Sequence, residues 1–301
     1  MRVSPRHFAH FLTAMGPIET RTTHRESDND MNAPMTTKTA LVSTDVGITP
    51  VSYIEHGQGH PFVVLHGGAG SNSVRDFVKL LATTRDARVI APIHPGFDGT
   101  PRPSALTTIK DLAAVHLALI EKLDLHDVTV VGNSVGGWTA AEMALAHNSR
   151  ISSVVLVNAV GLIVEDDPTK DFFSLTMDEV TDISYFNPDH YRLDMSALPA
   201  VVQQNMASNK ATLRALAGVQ MGDRTLLGRL AQITAPVLVV WGAADAMVPI
   251  SHGQRYAKAI PNARLDVIAN AGHLPQVETP DRLVHDVWEF ADAHATMRPQ
   301  R

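Results

Sequence analysis

The chain has 301 residues, 45% of them hydrophobic and 19% charged, with a formal net charge of −6. An acidic balance with interspersed charges and only 5% aromatic residues argues against a nucleic-acid-binding protein and against base-stacking platforms. The absence of cysteine excludes a disulfide scaffold, a thiolate metal site and a cysteine nucleophile, and fits a cytoplasmic protein. No apolar run approaches the roughly 20 residues needed to span a bilayer.

Residues 1–40 are rich in Arg, Thr and His, lack a signal-peptide core, and read as a disordered extension. Glu19, Glu26, Asp28 and Asp30 count against a mitochondrial presequence, and Met31 or Met35 is an alternative start. His7 and His10 could share a helix face there, but lack acidic partners at metal spacing. The stretch Leu41–Gly57 alternates as two short strands around Asp45 and Gly47. Pro61–Gly67, "PFVVLHG", is a continuous apolar run, the pattern of a strand buried on both faces. Helical spacing at Val74, Phe77, Val78 and Leu81 follows, then the strand of "RVIAPIHPGFDGTPRP" with its Pro/Gly loop. A helix over Ile109–Leu123, the strand "VTVVGN", a helix from Ser134 to His147 and a strand over Ser152–Val160 complete this part. From Gly161 to Ala231 no buried-strand pattern occurs, only helix-like segments carrying Phe, Tyr and Met. Alternation resumes with "PVLVVWG", a helix near Ser251–Ile260, the strand "RLDVIAN" and a helix over Pro280–His294.

Repeated strand–helix alternation requires a mostly parallel, doubly wound sheet with helices on both faces, an α/β fold. The expected organisation is a core of residues 41–160 and 232–298 interrupted by a helical insertion over 161–231.

Gly132-Asn133-Ser134-Val135-Gly136 fits the G-x-S-x-G nucleophile elbow, and it sits between a predicted strand and a predicted helix. A serine hydroxyl needs a base to take its proton and an acid to orient that base. His273, in "IANAGHLPQVETP", follows the last strand; Asp245, in "VVWGAADAMVP", follows the strand before it. The order Ser134, Asp245, His273, each placed after a strand, matches the order of triad residues on this type of scaffold. The glycines of "LHGGAGS" let backbone N–H groups approach a substrate oxygen, so Gly68 and Val135 are the expected oxyanion donors. Gly67, Asn133 and Leu274 flank these groups and are expected to face substrate. His66 reads as a structural loop histidine and His94 as support for the loop near the site. Glu165–Pro168, "EDDP", reads as a solvated loop rather than a metal cage.

The quoted segments "LHGGAG", "GNSVGG", "WGAADAMVP" and "AGHLPQVETP", with the helical insertion, resemble the cap-bearing branch of the α/β-hydrolase superfamily. The resemblance implies Ser134 as nucleophile, His273 as base and then acid, Asp245 as its orienter, and a lid over residues 161–231. It implies no metal or organic cofactor. Asn133 in "GNSVGG" is similar to the elbow of meta-cleavage-product hydrolases, which split carbon–carbon bonds. The chain departs from that family in its glycine loop, in Leu274 where tryptophan is usual, and in having no distinguished cap arginine among Arg192, Arg214 and Arg224. Hydrolysis of a small, largely apolar ester, thioester or lactone is therefore the first expectation and carbon–carbon hydrolysis the second. A hydrolase-fold ligand receptor with little turnover is the alternative of another class. The expected partner is a small molecule, with neither nucleic acid nor membrane, and the sequence is compatible with a homo-oligomer.

Overall fold

The computed structural model describes residues 35–296. In chain order these form β1 (Thr37–Thr44), β2 (Gly47–Gly57), β3 (His60–Leu65), α1 (Asn72–Thr84), β4 (Ala87–Pro92), α2 (Ile109–Lys122), β5 (Val128–Asn133), α3 (Val135–Leu145) and β6 (Ile151–Val157). Four helices follow: α4 (Met177–Ser184), α5 (Pro188–Tyr191), α6 (Ala200–Ala217) and α7 (Leu226–Arg229). The chain then adds β7 (Val237–Gly242), α8 (Ile250–Ala259), β8 (Ala263–Ile268), α9 (Pro275–Glu278) and α10 (Pro280–His294).

Among the described residues, eight strands make one sheet in the order β1-β2-β4-β3-β5-β6-β7-β8. β1 and β2 form an antiparallel hairpin closing at Thr44 and Gly47, and β2 runs antiparallel to β4. Every other pairing is parallel, as crossovers through helices require. The middle strands are apolar at consecutive positions because both faces are covered. In β3, Val63 and Leu65 join the core shared with α2, α3 and α8, whereas Phe62 and Val64 join the core shared with α1 and α10. The stripe Val74, Phe77, Val78, Leu81 is the buried face of α1, as its spacing predicts.

The first strand begins at Thr37, so it reaches into the segment expected to be an extension; residues 1–34, with His7 and His10, lie outside the described residues. Between β6 and β7 the chain leaves the sheet for α4–α7. Gly161 N–H donates to the Met221 carbonyl and its own carbonyl accepts from Asp223 N–H, so the two ends of the excursion form a short bridge. Buried Glu142 of α3 receives two 2.7 Å bonds from Arg229, which ties α7 to the core. The "EDDP" segment contacts α8: Ser251 and His252 bond Asp167, and Arg255 pairs with Asp166. No helix among the described residues is long and apolar enough to cross a membrane.

Candidate active site

The chain emerging from β5 reverses at Ser134 to enter α3. Ser134 has φ 56° and ψ −118°, a conformation costing on the order of 1–3 kcal/mol that its surroundings must hold. Its N–H donates to Val157 O at 2.9 Å, and its carbonyl accepts from Trp138 N–H and Val160 N–H. The turn also brings backbone against backbone. A Cβ on Gly132 would collide with the Gly136 carbonyl, and one on Gly136 with the carbonyls of Leu65 and His66. Those two glycines therefore let β5, α3 and the end of β3 meet beneath the serine.

Asp245 and His273 project from the loops after β7 and β8. The His273 Nδ1–H donates to Asp245 Oδ2 at 2.8 Å, which leaves Nε2 as the free basic nitrogen. Asp245 is almost fully enclosed and its two oxygens take four donors. Oδ1 accepts from Met247 N–H and Val248 N–H, both at 2.9 Å, and Oδ2 accepts from His273 and from Asn158 Nδ2 at 2.7 Å. The His273 peptide is gripped from both sides: its N–H donates to Ser184 O at the end of α4, and its carbonyl accepts from Asn133 Nδ2 at 3.0 Å. Through Asn133, the residue before Ser134, elbow and histidine loop share one hydrogen-bond network. The hydrogen bonds of the described residues include none between Ser134 Oγ and His273 Nε2, a contact that commonly tightens only with substrate.

The glycine loop after β3 packs directly on the elbow, with the Gly67 Cα region against Ser134 Cβ and Asn133 Oδ1. It is folded by Gly70 N–H donating to Gly67 O. Val135 N–H is the first of α3 and has no intrahelical acceptor. Gly68 N–H also has no protein acceptor among the described residues. Beneath this loop lie three fully buried histidines whose tautomers follow from their partners. His66 Nδ1–H donates to Gly67 O at 2.7 Å, and Nε2 accepts from His94 N–H. His94 Nε2–H donates to His66 O, so its Nδ1 must accept from His116 Nε2–H at 2.8 Å. Burial holds all three below the ordinary imidazole range, His94 well below it and His116 at about 3. These partners keep all three rings neutral, and among the described residues His116 Nδ1 has no hydrogen-bond partner.

The Asn133 carboxamide is committed to Val157 O, His273 O and Gln276 Nε2, so it braces the back of the elbow. Leu274 is half-buried and immediately precedes α9, and Gly67 offers its carbonyl to His66 and Gly70. Arg192 is ion-paired with Asp178, Asp182 and Asp189, Arg224 with Glu165, and Arg214 lies 5.8 Å over the Phe173 ring. Sequence reasoning missed Asn158, Gln276, His116 and Glu278. Glu278 accepts from Gly272, Phe186 and Asn187 N–H; burial raises its carboxyl above the ordinary range despite those donors. The available signal was positional: Asn158 lies just past β6, and Glu278 is five residues after His273.

A family model described as the alpha/beta hydrolase fold matches residues 60–280. The chain belongs to the alpha/beta hydrolase fold family. Among curated members, it is 27% identical to the 2-hydroxy-6-oxo-6-(2'-aminophenyl)hexa-2,4-dienoic acid hydrolase of Metapseudomonas resinovorans, covering 83% of this chain and 90% of that one. It is also 27% identical to the 2-hydroxy-6-oxo-6-phenylhexa-2,4-dienoate hydrolase of Comamonas testosteroni, over 82% and 93%. In fold it is similar to a lipase described as putative from Acinetobacter baumannii, with TM-score 0.73, 20% identity and coverage of 87% and 92%. A meta-cleavage product hydrolase from Pseudomonas fluorescens gives TM-score 0.69, 21% identity and coverage of 85% and 97%. As a member of this family, the chain is a hydrolase of the α/β fold.

Proposed function

We propose that this hydrolase cleaves a small, largely apolar carboxylic ester, thioester or lactone through an acyl-enzyme on Ser134. The observation that carries the reading is Ser134 held at φ 56° on a β5–α3 turn, in one hydrogen-bond network with the Asp245–His273 pair. His273 Nε2 takes the hydroxyl proton as Ser134 Oγ bonds to the carbonyl carbon, and Asp245 stabilises the imidazolium. The oxyanion accepts from Gly68 and Val135 N–H. Collapse breaks the acyl–oxygen or acyl–sulfur bond, and the leaving group departs with the proton from His273. Water, deprotonated by the same nitrogen, then attacks the acyl carbon and frees Ser134. Helices α4–α7 act as the cap over this centre. The engagement of Arg192 and Arg224 with acidic neighbours favours an uncharged acyl group over a carboxylate-bearing one.

Carbon–carbon hydrolysis is the second reading, favoured by the activities named for the curated relatives and by Asn133 beside the nucleophile. Steady-state hydrolysis of short p-nitrophenyl esters, set beside turnover of a 2-hydroxy-6-oxo-dienoate, separates the two. Turnover of the esters that disappears in Ser134→Ala supports the first reading. Preference for the dienoate moves the assignment to the second, and equal ester turnover in wild type and Ser134→Ala sinks the nucleophile.

A further inference from the structure

Asp98 lies at the tip of the β4–α2 loop with φ 51°, between the glycine loop and helix α6. Its Oδ2 accepts from both the backbone N–H and the hydroxyl of Ser71, each at 2.7 Å, at the point where the glycine loop enters α1. Its Oδ1 accepts from Asn209 Nδ2 at 2.8 Å, and its own backbone N–H donates to Asn209 Oδ1 at 2.8 Å. The carboxamide of Asn209, itself 3% exposed, is thus matched donor to acceptor and acceptor to donor on one residue. One turn further along α6, the Leu213 side chain lies against Gly68. Burial alone would push the Asp98 carboxyl up, but the donors from Asn209 and Ser71 hold it below its ordinary value.

We infer that the Asp98–Asn209 pair couples the seating of helix α6 to the geometry of the glycine loop, so that the Gly68 N–H is aligned only when that helix is docked. The inference rests on the proposed serine-hydrolase reading for its catalytic consequence, since an aligned Gly68 N–H matters only where an oxyanion forms. The chain of contacts is short: Asn209 sets Asp98, Asp98 sets Ser71, and Ser71 ends the loop whose middle carries Gly68. Asp98 and Asn209 are therefore positioning residues. An apolar substrate seated under α6 would meet a formed oxyanion site, and an undocked helix would leave a serine with weaker electrophilic assistance.

An exchange of the pair tests this. Asp98→Asn keeps an acceptor for Ser71 but sets its new amide against the amide of Asn209, and Asn209→Asp sets two carboxylates face to face. The double variant restores every bond with the roles reversed: the amide at position 98 donates to the carboxylate at position 209, which accepts again from the backbone N–H of residue 98. Amide hydrogen exchange over residues 66–74 and 200–217 reads the coupling directly, and kcat on a p-nitrophenyl ester reads its consequence. Each single variant should speed exchange in both segments and lower kcat by about tenfold or more, a fraction of the loss when an oxyanion donor is removed outright. The double variant should return both readouts to within about threefold of wild type. Thr212→Val, which removes a further bond from α6 to the β4–α2 loop (Thr212 Oγ1 to Gly96 O, 2.9 Å) but leaves the Asp98–Asn209 pair in place, should keep exchange over 66–74 as in wild type and kcat within about twofold. Single variants that loosen only 200–217, or a swap that fails to recover residues 66–74, would overturn the coupling. A wild-type protein inert on esters, with exchange behaving as described, would overturn the proposed reaction and leave the mechanical link standing.

Discussion

Asn158 sits in left-handed backbone with φ 46° and uses both ends of its carboxamide. Nδ2 donates to Asp245 Oδ2 and to Gly272 O, and Oδ1 accepts from Gly242 N–H, so it links the acid to the loop carrying His273. Two substitutions separate its conformational role from its bonding role. Asn158→Gly keeps the backbone at ease but strands one oxygen of a buried carboxylate with a donor fewer, a loss of about 1–3 kcal/mol. Asn158→Ala adds the left-handed penalty of about 1 kcal/mol on top. Urea denaturation should therefore rank wild type above Gly above Ala, while kcat falls in both by about tenfold through a misdirected imidazole. Activity retained in full by Asn158→Gly would mean that Asp245 needs no support from this side.

The elements are stabilised by devices that substitution can isolate. Thr108 caps α2: its hydroxyl accepts from Asp111 N–H, and the Asp111 carboxylate accepts in return from Thr108 N–H. Thr108→Ala should cost about 1 kcal/mol in chemical denaturation with kcat unchanged, because the cap lies on the helix and away from the elbow. Gly136→Ala tests the opposite end of the scale. Its methyl would be driven into the carbonyls of Leu65 and His66, where rigid strand backbone cannot give way. Overpacking of this kind costs about 1–3 kcal/mol, and here it should also displace Ser134, lowering kcat far more than Thr108→Ala. Equal activity in the two variants would show that the β3–β5–α3 junction has slack.

For the molecule as a whole, the buried His66–His94–His116 chain makes stability depend on pH. All three are held below the ordinary value of 6.5 by desolvation, His116 to about 3. The unfolded chain binds protons on these rings as pH falls below about 6.5, whereas the folded chain does not, so acidification favours unfolding. Their contribution is fully present above pH 6.5 and declines below it, at up to ~1.4 kcal/mol per pH unit for each ring. His116→Gln keeps a donor for His94 Nδ1 but does not titrate, so it should remove about one such increment from the slope between about pH 6 and pH 4. Denaturant midpoints measured across that range check it. Parallel profiles for wild type and His116→Gln would mean that His116 protonates inside the folded protein.

Much of this was written locally. Apolar runs of five or six residues mark β3 and β7 because those strands are covered on both faces, and period 3.6 marks α1 and α10 because each shows one face to the sheet. The elbow is legible because a tight turn under a serine admits only small neighbours, and the order of Ser134, Asp245 and His273 follows from strand order alone. The partners of those residues were not legible. Asn133 meets His273 across 140 positions, Asn209 meets Asp98 across 111, and Asn158 meets Asp245 across 87. A carboxamide at any of these places carries the same local pattern whether it faces solvent or a buried acid. The direction of the Asn133 carboxamide, toward Val157 O, His273 O and Gln276 Nε2, is likewise set by tertiary neighbours. Sequence determines what each segment buries and where the chain must turn; which polar groups meet inside depends on the parallel register and on where α4 and α6 come to rest, and those distances exist only once the sheet has closed.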